Sequence, residues 1–182
     1  RLFPKKDREL SFLALYSRNG RNNDFSNTFL NAGGGIDSLR KNENDGLNEE
    51  YTLQLDYQTP LGTNQMLEFG AKNILRKVLS DFAYYRAIGS DGPFEPASDP
   101  RLNNQLNYNQ DVLSGYGSYT YSAKSGYSFK TGLRYEYTVI NAFSRTEEDI
   151  DIPEYGVLVP SINASKKLKK GTIKASYNRR IQ

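Results

Sequence analysis

A strict alternation of apolar and polar side chains runs from residue 127 to residue 139, and it is the clearest pattern in the chain. The odd positions form an apolar and aromatic side, made of Tyr127, Phe129, Thr131, Leu133, Tyr135, Tyr137 and Val139. The even positions are charged or small, and they are Ser128, Lys130, Gly132, Arg134, Glu136 and Thr138. Because a strand turns successive side chains to opposite faces, the pattern predicts a two-faced β-strand. A tilted strand needs only about 9–11 residues to cross a membrane, so this segment is typical of a transmembrane barrel wall.

Further segments show the same period, at residues 51–58, 67–72 and 173–178. The apolar side of these strands is expected to face lipid, and the residues assigned to it are Tyr127, Phe129, Leu133, Tyr135, Tyr137, Val139, Tyr51, Leu53, Leu55 and Tyr57. The charged side is expected to face a lumen, and the residues assigned to it are Lys130, Arg134, Glu136, Asp56, Glu68 and Lys72. Residues 112–123 are rich in Gly, Ser and Tyr, and their faces are left unassigned.

Short and long connections alternate along the chain. Short turns are expected near residues 59–64, 123–126 and 168–171, and long polar connections at 19–48, 87–105 and 144–154. Outer-membrane barrels have this asymmetry, with short periplasmic turns and longer external loops. The pattern predicts an all-β, antiparallel up-and-down meander of about seven long strands. The expected strands are 8–18 (with an extension to 30 left open), 48–58, 65–85, 107–123, 127–145, 155–166 and 172–182.

Seven strands are an odd number, whereas bacterial single-chain barrels have an even number. The chain also starts at Arg1, without an initiator Met or an apolar leader. We therefore expect residues 1–182 to be a partial barrel, with a plug and further strands outside it. Such a piece would have two open edges, so in isolation it is expected to pair them with another copy or another chain.

Composition narrows the possible functions. With 37% hydrophobic residues and a mean hydropathy of -0.72, no apolar run approaches the roughly 18 residues of a membrane helix. The 14 Tyr and 9 Phe suit a boundary between hydrocarbon and water. The absence of Cys and His excludes thiol chemistry, zinc fingers and His-based catalysis within this chain. The net charge of +3 is spread along the chain without a concentrated basic stripe, so no nucleic-acid partner is expected. Without His, Cys or a convergent pair of acids, no enzymatic activity is expected, and no cofactor or metal is assigned.

For three clusters of charged or glycine residues, a solvated or flexible loop is favoured over a binding site. The acidic cluster is read as a solvated loop rather than a cation site, and it consists of Glu147, Glu148, Asp149 and Asp151. The basic cluster is read as solvated turn lysines rather than a patch for anionic lipid or nucleic acid, and it consists of Lys166, Lys167, Lys169 and Lys170. Residues 33–35, all Gly, are read as a flexible loop rather than a phosphate cradle.

Several runs, in order, resemble the β-barrel region of TonB-dependent outer-membrane receptors. They are residues 55–57 and 60–61, 67–72 (Leu-Glu-Phe-Gly-Ala-Lys), 132–138 (Gly-Leu-Arg-Tyr-Glu-Tyr-Thr), 160–161 and 176–182. The resemblance implies a wall segment of a receptor in the cell outer membrane that imports a scarce solute of unknown identity. It implies outer-membrane lipid as a partner, and TonB only through a region absent from this chain. Two alternatives stay open: a soluble β-sandwich that binds carbohydrate or protein, with shorter strands, and a structural barrel that transports nothing.

Overall fold

A computed structural model describes residues 6–99, 102–145 and 152–179. The described residues form one antiparallel sheet of seven long strands, plus a two-residue strand, β4, that pairs with β3. In chain order the strands are β1 (Glu9–Leu30), β2 (Ile36–Pro60), β3 (Gln65–Ile88), β4 (Glu95–Pro96), β5 (Asn104–Ser122), β6 (Tyr127–Ser144), β7 (Tyr155–Leu168) and β8 (Gly171–Asn178). The long strands are neighbours in the order β1-β2-β3-β5-β6-β7-β8, and the sheet curls into a half-barrel. The meander expected from the alternation is confirmed.

The structure does not have the architecture of the soluble β-sandwich that was left open as an alternative. A sandwich requires a second packed sheet and shorter strands, whereas the described residues form a single sheet whose first three strands have 22, 25 and 24 residues. At about 3.3 Å per residue, β2 extends over roughly 80 Å, far more than the about 30 Å of a bilayer's hydrocarbon core. The first three strands are therefore longer than a crossing of a hydrocarbon core requires.

The prediction of a long polar connection at residues 19–48 is wrong. Residues 19–30 continue β1 and residues 36–48 begin β2, and the two segments pair with each other up to Leu30 and Ile36. The connection is the tight turn 31–35, in which Asn31 Oδ1 accepts hydrogen bonds from the backbone N–H of Gly33 and of Gly35, each 3.0 Å long. Gly34 adopts a φ of 80°, which glycine tolerates without steric cost. The three glycines thus form an ordered turn.

Burial in this sheet is reversed relative to a soluble protein. Within the described residues, the buried apolar side chains are only Pro60, Ala87 and Ala142, while the buried polar ones are Ser38, Thr52, Ser114, Thr138 and Ser144. Large apolar side chains such as Phe129 (51% exposed) and Leu133 (50% exposed) lie on the open face. Because the part of the chain that the structure describes has no second layer over the sheet, curvature makes one face concave and crowded, and that face is polar across the middle of the sheet. We call the two surfaces the inner, concave face and the outer, convex face.

A polar row marks where the outer face changes character. Its members lie directly opposite one another on five neighbouring strands, and they are Arg18, Glu49, Lys77, Asn109 and Asn141. On the side of the short turns 61–64, 123–126 and 169–170, outer positions are mainly apolar. On the other side the outer positions become mostly polar, as at Asn22, Asp45, Asp81 and Gln105, while apolar side chains move to the inner face. We call this set the boundary row.

Beyond the boundary row, the inner face carries aromatic and aliphatic side chains. They are Phe25, Phe29, Val78, Phe82, Tyr84, Leu106, Tyr108 and Ala142, placed there by the continuous registers of their strands. β3 and β5 thus have an apolar outer face near the short turns and several apolar inner positions at the opposite end, whereas the inner positions of β2 at that end are polar. This inversion is expected of strands that leave hydrocarbon and continue into water, because the outer face then meets a polar solvent.

Candidate functional site

The polar inner face, between the short turns and the boundary row, holds the candidate site. Its central row crosses four strands and consists of Asp56, Gly70, Tyr116 and Arg134, each directly opposite the next. All six side chains expected to face a lumen lie on this inner face, because they occupy even positions in continuous registers. That they meet a water-filled lumen stays a prediction.

Tyr116 spans two strands at the centre of the row. Its ring crosses the backbone at Gly70, and its hydroxyl donates a hydrogen bond to the Asp56 carboxylate. A Cβ at Gly70 would lie 2.8 Å from Tyr116 Cε2 and 2.6 Å from Asp56 Oδ1, so only glycine leaves room for this crossing. Gln54 Nε2 donates a second hydrogen bond to the Asp56 carboxylate, with a length of 2.7 Å. The side-chain network thereby joins β2 and β5 across the intervening strand β3.

Glu68 and Lys130 form an ion pair that bridges β3 and β6 across β5. The hydroxyl of Ser118, on the intervening strand, donates to Glu68 Oε2 at 2.6 Å. Both side chains of the ion pair remain partly exposed, at 35% and 43%. The pair therefore lies on an accessible surface of the inner face and keeps contact with solvent.

Arg134 contacts three groups on the same face. Its guanidinium forms an ion pair with Glu136 on its own strand, donates to Ser114 Oγ at 3.2 Å, and lies 5.7 Å from the centre of the Tyr116 ring. Ser114 Oγ in turn donates to the carbonyl oxygen of Lys72, at 3.1 Å. Five of the six predicted lumen residues thus have side chains in these contacts, with Glu68 and Lys130 in an ion pair separate from the group around Tyr116. Lys72 takes part only through its backbone.

A second polar cluster on the inner face was not found from the sequence. Arg76 donates from Nε and Nη2 to Glu50 Oε2, at 3.0 and 2.7 Å, and from Nη1 to Gln110 Oε1 at 2.8 Å. These three residues lie opposite one another one position away from the boundary row. They form a polar crosslink between β2, β3 and β5 at the level where the inner face turns apolar.

The ten residues expected to face lipid all lie on the outer face. Eight of them are exposed, while Tyr57 and Val139 are half-buried. Tyr57 packs against Phe69 with a ring-centroid distance of 5.2 Å, and Tyr51 packs against Tyr16 at 4.6 Å. The outer face is thus a continuous apolar and aromatic surface, and its contact with lipid stays a prediction.

The pairing of residues 112–122 with β3 assigns the faces that the sequence pattern left open. Val112, Ser114, Tyr116, Ser118 and Thr120 point to the inner face, because they pair with inner positions of β3. Glycine at 115 and 117 weakens the outer half of the alternation, which explains why the sequence pattern is ambiguous there. The acidic cluster at Glu147, Glu148, Asp149 and Asp151 lies outside the described residues.

Tyr16 and Glu49 mark the end of the apolar outer surface. The Tyr16 hydroxyl donates to Glu49 Oε1 at 2.9 Å, and Arg18 Nε lies 3.6 Å from the same carboxylate oxygen. Well beyond this level, the hydrogen bond from Lys41 to Glu43 raises the pKa of the Lys41 ammonium above its usual range. A tyrosine hydroxyl beside paired charges is typical of a membrane–water boundary.

A sheet with a polar concave face and an apolar exposed face is the wall of a transmembrane β-barrel. The chain matches the outer membrane protein beta-barrel family over residues 1–182, and it belongs to that family. Its location is therefore the cell outer membrane. No curated protein matches the chain.

Within the described residues no helix has the length and apolar character needed to cross a membrane. The same residues contain no group of three potential metal-ligating side chains.

Proposed function

We propose that this chain is a wall segment of a TonB-dependent receptor that imports a scarce solute across the outer membrane. The observation that carries the proposal is the charged inner face at membrane level, where Glu68, Lys130 and Arg134 are paired yet partly open to solvent. A barrel that served only as a structural wall would be expected to fill this volume with packed side chains. A wet, polar inner face supports a passage for a polar solute or a polar plug.

The inner face beyond the boundary row also supports import. Aromatic side chains such as Phe82 and Tyr108 lie there beside amides such as Asn44 and Asn48. Side-chain amides both donate and accept hydrogen bonds, and aromatic rings supply apolar contact area. Such a mixed surface above the membrane could hold a solute before it enters the barrel.

In this proposal the chain performs no chemistry of its own and requires no cofactor. Outer-membrane lipid contacts the outer face, and the solute contacts the inner face. Energy reaches the receptor through TonB, which would bind a segment that lies outside residues 1–182. The charged side chains of the inner face then stabilise the wall and present a hydrated surface to the solute.

The test is an uptake experiment with the full-length protein in its own outer membrane. Strains with and without the gene are given a panel of labelled scarce solutes, chelated metal ions and oligosaccharides among them, with the inner-membrane proton gradient intact or collapsed. Import predicts that at least one solute accumulates only when both the protein and the gradient are present. Equal accumulation in both strains across the panel, with the barrel shown to be folded in the membrane, would favour a barrel that transports nothing.

A further inference from the structure

Six lysines gather at one end of strands β6, β7 and β8. Five lie in or beside the two turns 123–126 and 169–170, and one lies in β8; they are Lys124, Lys166, Lys167, Lys169, Lys170 and Lys174. The backbone holds the two turns together, because the N–H of Lys167 donates to the carbonyl oxygen of Gly126 at 2.8 Å. Lys166 Nζ adds a hydrogen bond of 2.9 Å to the carbonyl oxygen of Ser125. We call this set the lysine rim.

The lysine rim has no acidic counterpart in its own strands. Residues 112–135 and 155–179 contain no Asp and no Glu. The nearest acid along β6 is Glu136, nine residues beyond the start of the strand at Tyr127, which corresponds to roughly 30 Å. Charges separated by more than the Debye length of about 8 Å are largely screened at physiological salt. The positive charge of the rim must therefore be balanced from outside these strands.

The position of the rim relative to the apolar outer face indicates where that balance comes from. Lys166 lies directly opposite Tyr127 and Ile173 on the outer face, and its Nζ lies 3.4 Å from the centre of the Tyr127 ring. Ile173 is 64% exposed, and Phe129 is 51% exposed one outer position further along β6. The ammonium thus lies at the end of the apolar surface, where the headgroups of a bilayer are found.

Turn solvation alone does not account for the lysines. The third short turn at this end of the sheet, residues 61–64, is Leu-Gly-Thr-Asn and carries no charge. A short turn in this barrel therefore does not require lysine. Among the three short turns, lysine occurs only in or beside the β5–β6 and β7–β8 turns.

From this placement we propose that the lysine rim is a binding site for anionic phospholipid headgroups in the leaflet on the short-turn side of the membrane. Short turns of outer-membrane barrels lie on the periplasmic side, so the ligand belongs to the periplasmic leaflet. The headgroup phosphate meets the ammonium groups of Lys166 and Lys169, while the acyl chains lie along Phe129 and Ile173. The site depends only on the barrel's place in the outer membrane, and it holds whether or not the barrel transports a solute.

The test measures lipid retention on the purified full-length protein by native mass spectrometry, with phosphatidylglycerol and phosphatidylcholine as probes. The variant Lys166→Gln/Lys169→Gln is compared with Lys41→Gln/Lys77→Gln, which removes the same charge at and beyond the boundary row, at the opposite end of the apolar surface. A lysine near an anionic surface contributes roughly a five-fold change in affinity, so the rim variant is expected to bind phosphatidylglycerol roughly 25-fold more weakly. The control pair is expected to stay within about two-fold.

A third variant, Lys166→Arg/Lys169→Arg, keeps the charge and is expected to retain the lipid. Each variant is first shown to be folded by its heat-dependent mobility on a gel. Three results would overturn the proposal: equal retention of phosphatidylglycerol by the rim variant, equal loss in the control pair, or equal retention of phosphatidylcholine and phosphatidylglycerol by the unmodified protein.

Discussion

Tyr116 lies directly opposite Gly70 on the neighbouring strand, and its ring occupies the space that a side chain at position 70 would need. Glycine inside a strand usually weakens it, and it often marks a close approach of another group to the backbone. Here the approaching group is an aromatic ring that reaches a carboxylate one strand further on. The wall is thus stabilised across three strands by a contact that depends on a missing side chain.

Replacing Gly70 with Ala is expected to destabilise the folded barrel by about 1–3 kcal/mol, because the new Cβ would collide with Tyr116 Cε2 and with the Leu55 carbonyl oxygen. The measurement is the free energy of unfolding of the full-length protein, obtained by denaturant titration in lipid vesicles. Gly115→Ala is the matched control, since nothing lies within 4 Å of a Cβ at that position. Equal effects of the two substitutions would show that Tyr116 and Gly70 do not depend on each other.

Tyr116→Phe removes only the hydroxyl that donates to Asp56. The carboxylate keeps its hydrogen bond from Gln54, so we expect a loss of about 1–2 kcal/mol in the free energy of unfolding. Tyr121→Phe on the outer face, where the ring is 40% exposed, is expected to change that free energy by less than about 0.5 kcal/mol. A Tyr116→Phe protein as stable as the unmodified one would contradict this role of the hydroxyl.

The Glu68–Lys130 pair tests whether the inner face is wet. In a hydrated lumen, a double-mutant cycle with Glu68→Gln and Lys130→Gln should give a coupling energy below about 1 kcal/mol that falls as salt is raised. In a dry, filled interior, removal of one partner alone should cost about 3–5 kcal/mol, with little dependence on salt. The cycle is measured by unfolding in vesicles at low and high salt. The second outcome would argue against a passage for a polar solute.

The boundary row predicts where the outer face leaves lipid. In a Cys-free background, single Cys residues at Leu53 and Tyr135, labelled with a fluorophore, are expected to be quenched by a lipid-resident quencher. Cys at Asp45 or Asn22, beyond the row on the same face, is expected to react with a water-soluble thiol reagent and to escape quenching. Lys130→Cys is the inner-face control at membrane level, and it should react from water. Quenching at Asp45 as strong as at Leu53 would move the membrane boundary away from this row.

The two edge strands of the described sheet each lack a partner on one side, since β1 pairs only with β2 and β8 only with β7. Residues 1–182 produced alone in detergent are therefore expected to form dimers or larger assemblies through these edges. Light scattering coupled to size-exclusion chromatography measures the mass. A longer form of the protein that supplies the further strands expected from the sequence serves as the comparison and is expected to stay monomeric. A stable monomer of residues 1–182 at micromolar concentration would contradict the prediction.

The sequence predicts the membrane-level part of the wall well because alternation is a local property. Residues 127–139 carry their two faces without interruption, and the structure places all their odd positions on the outer face. The same logic fails for residues 19–30 and 36–48, since polar side chains such as Asn22 and Asp45 on the outer face hide the strand behind a loop-like composition. Only pairing with the neighbouring strands identifies them as strands.

The hydrogen-bond network around Tyr116 could not be predicted from the sequence, for a different reason. Asp56, Gly70 and Tyr116 are far apart in the chain, and they meet only because the registers of three strands place them in one row. The signal available was Gly70 on the polar side of a strand, which suggests a close approach but not its partner. Arg76 with Glu50 and Gln110 was missed in the same way, because opposite charges in sequence say nothing about register.

The polar tip of the β1–β2 hairpin determines how such a wall can enter a membrane. Residues 19–48 carry seven charged side chains, which are Arg21, Asp24, Asp37, Arg40, Lys41, Glu43 and Asp45. Arg and Lys each cost roughly 2–4 kcal/mol at the bilayer midplane, with Asp and Glu somewhat less, so moving this tip through hydrocarbon as a unit is prohibitive. A hairpin made on the periplasmic side must nevertheless deliver the tip to the cell exterior. The translocation step, rather than the pairing of strands, is then the slow event of biogenesis, and it calls for a route that shields the tip from lipid until the apolar outer face has engaged the bilayer.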